Sequence, residues 1–222
     1  MISRQTNYLK GAITKMKRLF ASVISCVLIL SMICSGLTVF ATTITGAVDT
    51  DNFVRGVDVS TLDMLEDLGA RYYQNNVESD ALTILKNNGA NYVRLKLWVD
   101  PYDENGNPYG GGNNDYATTL ALARRAKNLG MGVLIDFHLS DFWTDPANQI
   151  KPKAWKDLSY SELKTTLYNY MKDTLNNFAA AGIVPEMVQV GNEIYKGILH
   201  DDGKVGNGNE DFSNLAGLLE SA

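Results

Sequence analysis

The sequence predicts an α/β protein built on a parallel sheet, and two observations carry that prediction. Apolar runs with strand spacing alternate with helical periodicities from Phe53 to Ala222. Connections from strand to helix are long and polar, covering 60–77, 100–114, 139–158 and 195–211, whereas the returns are three or four residues after a glycine. Each helix then brings the chain back to the same end of the sheet, so the strands run parallel. Function is expected where the long loops gather, at the carboxyl ends of the strands.

The chain of 222 residues is 45% apolar, enough to bury a substantial core, which excludes disordered and collagen-like classes. Residues 1–41 hold Arg4, Lys10, Lys15, Lys17 and Arg18 and no acid, leaving 15 basic against 25 acidic residues in the remainder, a net of −10. Such a remainder is unsuited to nucleic acid or an anionic membrane as partner. Lys15, Lys17 and Arg18 precede an uncharged apolar run from Leu19 to Ala41, the pattern of a secretory signal over 1–41, with Val39 and Ala41 before the cleavage point and Met16 as an alternative start. A transmembrane anchor is the other reading, since the run reaches the ~20 residues a bilayer needs. Its Ser, Cys and Gly content and its Val-Phe-Ala end favour cleavage. Val23-Ile24-Ser25-Cys26 has the look of a lipoprotein cleavage box, but the apolar run continues well past it. Cys26 and Cys34 both fall in this segment, so the mature chain is expected to have no thiol, disulfide or cysteine metal site. Residues 42–52, rich in Thr and Asp, read as a mobile leader, and 53–222 as the folded domain.

Within that domain the elements come in order. Val54 to Val59 reads as a first strand, and Glu78 to Asn88 as a helix with Ala81, Leu82 and Leu85 on one face and Gly89 at its end. Tyr92 to Val99 is a second strand, Asp115 to Leu129 a helix closed by Gly130, and Val133 to His138 a third strand. Ser159 and Glu162 have the spacing of a capping box for a helix carrying Leu163, Leu167, Tyr170, Met171, Leu175 and Phe178 and ending at Gly182. A fourth strand, Met187 to Ile194, ends on the carboxylate of Glu193, and Phe212 to Ser221 begins another helix.

Strand parity separates a core side from a polar side. Val93, Leu95, Leu97 and Val99 oppose Arg94, Lys96 and Trp98; Val133, Ile135 and Phe137 oppose Leu134, Asp136 and His138; Val57 and Val59 oppose Asp58; Val188 and Val190 oppose Gln189, Gly191 and Glu193. So many ionisable groups on one side cannot form a dry core, because each left unpaired costs several kcal/mol. They are expected to form a hydrated, mutually hydrogen-bonded network. Taken singly, His138 is as well read as a satisfied core imidazole, Arg94 and Lys96 as counter-ions of Asp58 and Asp136, Glu193 as a surface residue, and Ser140 to Pro146 as a capped turn. Converging on one mouth, they suit a polar substrate rich in hydroxyls, with tryptophan faces to stack on sugar rings.

Four strand-end segments, Gly56-Val57-Asp58-Val59-Ser60, Val93 to Val99, Leu134 to Trp143 and Val188 to Ile194, resemble the endo-β-1,4-galactanase (arabinogalactanase) family, glycoside hydrolase family 53 of clan A. The resemblance runs from Val54 to Ala222. It implies a secreted (β/α)8-barrel (TIM barrel) enzyme that cuts galactan side chains of pectin by a retaining mechanism. It further implies Glu193 as the general acid/base, Asn192 as hydrogen-bond partner of the sugar 2-hydroxyl, Arg94 and His138 as orienting groups, and Trp98, Asp141 and Trp143 as cleft-lining residues. Asp58 and Asp136 complete the substrate-binding set. Leu139 stands where the family usually has tyrosine, a departure expected to alter one substrate contact.

A retaining glycosidase needs a second carboxylate as nucleophile, about 5–5.5 Å from the first. In the resembled family it comes after the seventh strand, so the chain is expected to be the amino-terminal half, about four βα units, of a truncated barrel with little activity by itself. Glu186 and Glu210 lie too far from the strand mouth to replace it, and Asp58 or Asp136 could do so only with a changed geometry. No cofactor is expected, and a calcium site, where the family has one, would lie beyond Ala222. The expected partner is the polysaccharide itself, with no membrane after signal cleavage, and the expected location extracellular, in a bacterium. A mannanase or endoglucanase of the same clan and a non-catalytic carbohydrate-binding fragment are the alternatives.

Overall fold

Four parallel strands carry the architecture of the computed structural model, which describes residues 53–206, 208 and 210–222. They are β1 (Gly56–Asp58), β2 (Tyr92–Leu97), β3 (Gly132–Phe137) and β4 (Met187–Val190), hydrogen-bonded in sequential order. A doubly wound sheet reverses its strand order at a switch point, whereas a barrel adds each strand beside the last. The order here is of the barrel kind. The signal and leader expected over 1–52 lie outside the described residues, and within them no helix is long and apolar enough to cross a membrane.

One side of the sheet is dry. Val93, Leu95, Leu97, Val133, Ile135 and Phe137 are fully buried and share one core with Leu122, Ala123 and Ala126 of α3 (Tyr116–Asn128) and Leu163, Leu167 and Phe178 of α4 (Tyr160–Ala180). Those helices start where their caps fall. Asp115 accepts the Thr118 amide at 2.8 Å, and Ser159 with Glu162 forms the expected capping box. The shorter α2 (Ala81–Asn87) begins at Ala81 rather than Glu78, because Asp80 takes the capping place and accepts the Thr83 amide at 2.7 Å.

The loops hold more structure than their polarity suggests. A helix, α1 (Leu62–Asp67), and a hairpin pairing Tyr73–Gln74 with Val77–Glu78 occupy the first connection. That hairpin turns on Asn75 and Asn76, both at positive φ, as a two-residue turn matched to strand twist requires. A second hairpin, Gly197–Ile198 with Gly203–Lys204, precedes α5 (Ser213–Leu219).

Register explains the polar side. Asp58 lies opposite Arg94, Lys96 opposite Asp136, and Asp136 opposite Gln189. Neighbouring strands therefore deliver opposite charges to the same level. Two strands end earlier than alternation predicts. β2 stops at Leu97, where the Trp98 amide leaves the ladder for Asn114 O at 2.7 Å. β4 stops at Val190, after which Gly191 and Glu193 both take positive φ, so Glu193 is not placed by strand parity. Glu186 sits at the opposite, amino end of the sheet, accepting the Val133 amide at 2.7 Å and pairing with Lys127.

Candidate active site

Arg94 is the hub of the polar floor. Its Nη1 donates to Asp58 Oδ2 at 2.5 Å, its Nη2 to Asp136 Oδ2 at 2.5 Å and Asn192 Oδ1 at 2.9 Å, and its Nε to Gln189 Oε1 at 3.1 Å. One rigid guanidinium thus ties all four strands together, which a single-point cation could not do. Lys96 Nζ reaches Asp58 Oδ2 at 2.5 Å, and the Ser60 hydroxyl and amide reach Asp58 Oδ1 at 2.7 and 3.1 Å. Burial by itself would raise the Asp58 carboxyl; the Lys96 ammonium and the two Ser60 donors outweigh it and hold the group at about 2.

His138 and Asn192 are fixed by one strap, residues 139–150. The Thr144 amide donates to His138 Nδ1 at 3.2 Å with the Thr144 hydroxyl 3.1 Å away, so Nδ1 is the acceptor and Nε2 the proton-bearing nitrogen of the neutral ring. That Nε2 lies 2.9 Å from buried Asp136 Oδ2, though out of line for a formal hydrogen bond. Thr144 O accepts from Asn192 Nδ2 at 2.7 Å, and buried Gln149 donates from Nε2 to Asn192 O at 2.7 Å and Asp145 O at 3.1 Å. The Asn192–Glu193 peptide is therefore held from both sides. Glu193 itself is exposed and left-handed, at φ +53°, just before a short 3-10 turn. A non-glycine residue in that region costs of order 1–3 kcal/mol and persists only when its surroundings impose it. The sequence does not mark Thr144, Gln149 or Ser60 as site residues, because nothing in an ordinary polar loop distinguishes a strap from a spacer; only the position of Ser60, two after Asp58, carries a hint.

Of the three expected cleft residues, Trp98 is the one the structure covers. Trp98 is 1% exposed, packed between His138 and Phe142, so its face is not open to a sugar. Asp141 lines the cleft, and its carboxylate also joins the loops there, accepting the Asp100 amide at 3.0 Å and the Lys153 amide at 2.8 Å. Leu139 is buried in the core. Trp143 is 45% exposed with Lys96 Nζ over its ring at 5.0 Å, and it lines a cleft of about 690 Å³. Among the described residues no group of three or more His, Cys, Asp or Glu side chains could hold a metal ion.

The arrangement can position a polyhydroxylated ligand, and the residue after Asn192, Glu193, is an exposed acid. Asp58 and Asp136, the other two acids at the strand ends, are paired with Arg94 and Lys96. The model of glycosyl hydrolase family 53 matches residues 54–222. An endo-beta-1,4-galactanase of Bacillus subtilis is 49% identical over 143 residues, covering 64% of this chain and 33% of the relative. An arabinogalactan endo-beta-1,4-galactanase of Humicola insolens is 43% identical over 169 residues, covering 76% and 47%. Among solved structures, the GH53 catalytic domain of Ignisphaera aggregans superposes with a TM-score of 0.72 at 50% identity, covering 77% of this chain and 46% of that one. The chain thus spans less than half the length of these relatives.

Proposed function

Because this chain belongs to glycosyl hydrolase family 53, we propose that it carries the acid/base side of an endo-acting, retaining β-1,4-galactanase site. Glu193 gives its proton to the glycosidic oxygen as the bond to the anomeric carbon breaks, and later takes one from the incoming water. The nucleophilic carboxylate comes from outside the described residues, since Asp58 and Asp136 are both neutralised where they stand. Asn192 and His138 bind the sugar hydroxyls beside it, and no cofactor enters the chemical step. The observation that carries this reading is the 2.9 Å bond from Arg94 to Asn192, which joins the polar floor of the sheet to the residue before Glu193. The basic and apolar pattern of 1–41 supports export to the extracellular medium, where the galactan of plant cell walls is met.

The test is a hybrid in which residues 54–222 replace the matched segment of the Humicola insolens relative. It should cleave β-1,4-galactan, and Glu193→Gln should lower kcat by about a thousandfold or more with the fold unchanged. The 222-residue chain by itself should turn over little galactan. A folded hybrid that cleaves mannan or cellulose in preference to galactan, or that keeps its rate after Glu193→Gln, would overturn the assignment.

A further inference from the structure

Lys151 and Asp202 belong to different loops, one after β3 and one after β4, and their ion pair closes a ring of contacts that includes Glu193. Lys151 Nζ donates to Asp202 Oδ2 at 2.7 Å, with the two side chains 15 and 24% exposed. We propose that this pair is a latch that positions the general acid: it holds the strap of residues 139–150 against the hairpin that follows Glu193, and through both it fixes the direction of the Glu193 carboxyl. The proposal rests on the reading of Glu193 as the acid; the latch itself rests on the connectivity of the two loops.

Two routes run from the pair to Glu193. On the hairpin side the chain itself is the link, because Glu193 leads directly into the turn Ile194–Lys196 and the turn into Gly197–Ile198, which pairs with Gly203–Lys204. The hairpin is firmly supported. Ile198, Leu199 and Val205 are buried in the same core as Leu215 and Leu218 of α5, Asn214 Nδ2 donates to Asp202 O at 3.0 Å, and Tyr160 Oη of α4 donates to Asn214 O at 2.9 Å. On the strap side the His200 amide donates to Gln149 O at 2.7 Å, and Gln149 passes the constraint on through its bond to Asn192 O.

The backbone tie between strap and hairpin is an isolated bridge at Ile150 and His200. A tie of one residue can pivot where a ladder cannot. The ion pair, one residue further along the strap and two along the hairpin, removes that freedom, and its partial burial shields it from the screening that weakens surface pairs. The left-handed backbone of Glu193, at φ +53°, persists only while its surroundings impose it, so loosening the ring releases the acid from its aim. Lys151 lines the cleft and Asp202 is not part of its wall, which separates positioning from ligand contact.

In the 222-residue chain, Lys151→Met and Asp202→Asn should each quicken hydrogen exchange across 192–200 about tenfold while β2 and β3 exchange as in the parent. In the hybrid enzyme, each should lower kcat/KM on β-1,4-galactan about tenfold, the double variant should lose no more than either, and Lys151→Arg should keep most of the activity. A dinitrophenyl glycoside of galactotriose has a leaving group that departs without a proton, so on it the same variants should stay within about twofold of the parent. A role in stability alone would lower both substrates alike. Equal losses on both substrates, additive effects of the two substitutions, unchanged exchange at 192–200, or a loss for Lys151→Met that Asp202→Asn does not match would overturn the latch. Galactan cleavage that survives Glu193→Gln in the hybrid would overturn the acid assignment, and the latch with it.

Discussion

Arg94 makes four donations, to Asp58, Asp136, Asn192 and Gln189, and each acceptor belongs to a different part of the sheet or to the Asn192 turn. Lysine offers a compact charge without the planar fork, so Arg94→Lys should leave at least two of these acceptors unmatched. Breaking a buried pair costs about 3–5 kcal/mol, and the partial exposure of Arg94 puts the expected loss near the lower figure. Urea unfolding of the variant measures it, and a midpoint equal to that of the parent would contradict the hub role. Asp58 supplies a pH dependence. Its carboxyl is held at about 2 against an ordinary 3.8, so between those values the unfolded chain binds more protons than the folded one. The stability it contributes is present above about pH 4 and drains away as the pH falls toward 2. Asp58→Asn should flatten the acid limb of a midpoint-against-pH plot within that window and leave its shape unchanged above pH 5.

Strands and helices were legible in the sequence where a periodicity ran long enough to repeat. The alternation in Val93 to Leu97 and Val133 to Phe137 separates core from polar side because the period is two and every residue is inside a strand. Trp98 and Glu193 lie beyond the strand ends, where the rule no longer applies and the loops set their positions. The two hairpins have strands of two residues, too short to show any period, although Asn75-Asn76 was a readable turn signal. The capping box at Ser159 was readable because its chemistry is local, whereas the Thr144 and Gln149 strap joins residues 43 or more positions apart through backbone carbonyls, which residue types do not encode. Gly191 lies against branched side chains that follow it in the chain. A Cβ there would lie 2.6 Å from Ile194 Cγ2 and 3.1 Å from Ile198 Cγ2, at a φ of +77° that L side chains resist. Gly191→Ala should therefore cost about 2 kcal/mol or more by thermal unfolding. Gln149→Leu keeps the size but removes the donor to Asn192 O, so in the hybrid enzyme kcat should fall about tenfold or more with little change in KM. An equal effect of Gln149→Leu on KM alone would mean that the strap orders ligand contacts and not the acid.

A four-stranded parallel sheet in sequential order leaves two outer strands, and among the described residues β1 and β4 each pair on one side only. Outer strands offer unpaired amides and carbonyls to any chain that can align with them, and natural proteins blunt such edges with charge, proline or a covering element. β4 has little such protection: its sequence is Met-Val-Gln-Val, Val188 is 40% exposed, and Val184 and Tyr195 beside it are exposed as well. On the concave logic of a barrel these edges are satisfied by further strands, and the relatives are more than twice as long as the segment they share with this chain. The 222-residue chain studied by itself should therefore associate reversibly as its concentration rises through the micromolar range, while the hybrid, whose host strands border β1 and β4, should stay monomeric. Sedimentation velocity on the two proteins decides it. A Val188→Lys substitution, which puts a charge on the open edge without entering the core, should restore the monomer; a chain that is monomeric throughout, or one whose association ignores Val188→Lys, would locate the attraction elsewhere than the strand edge.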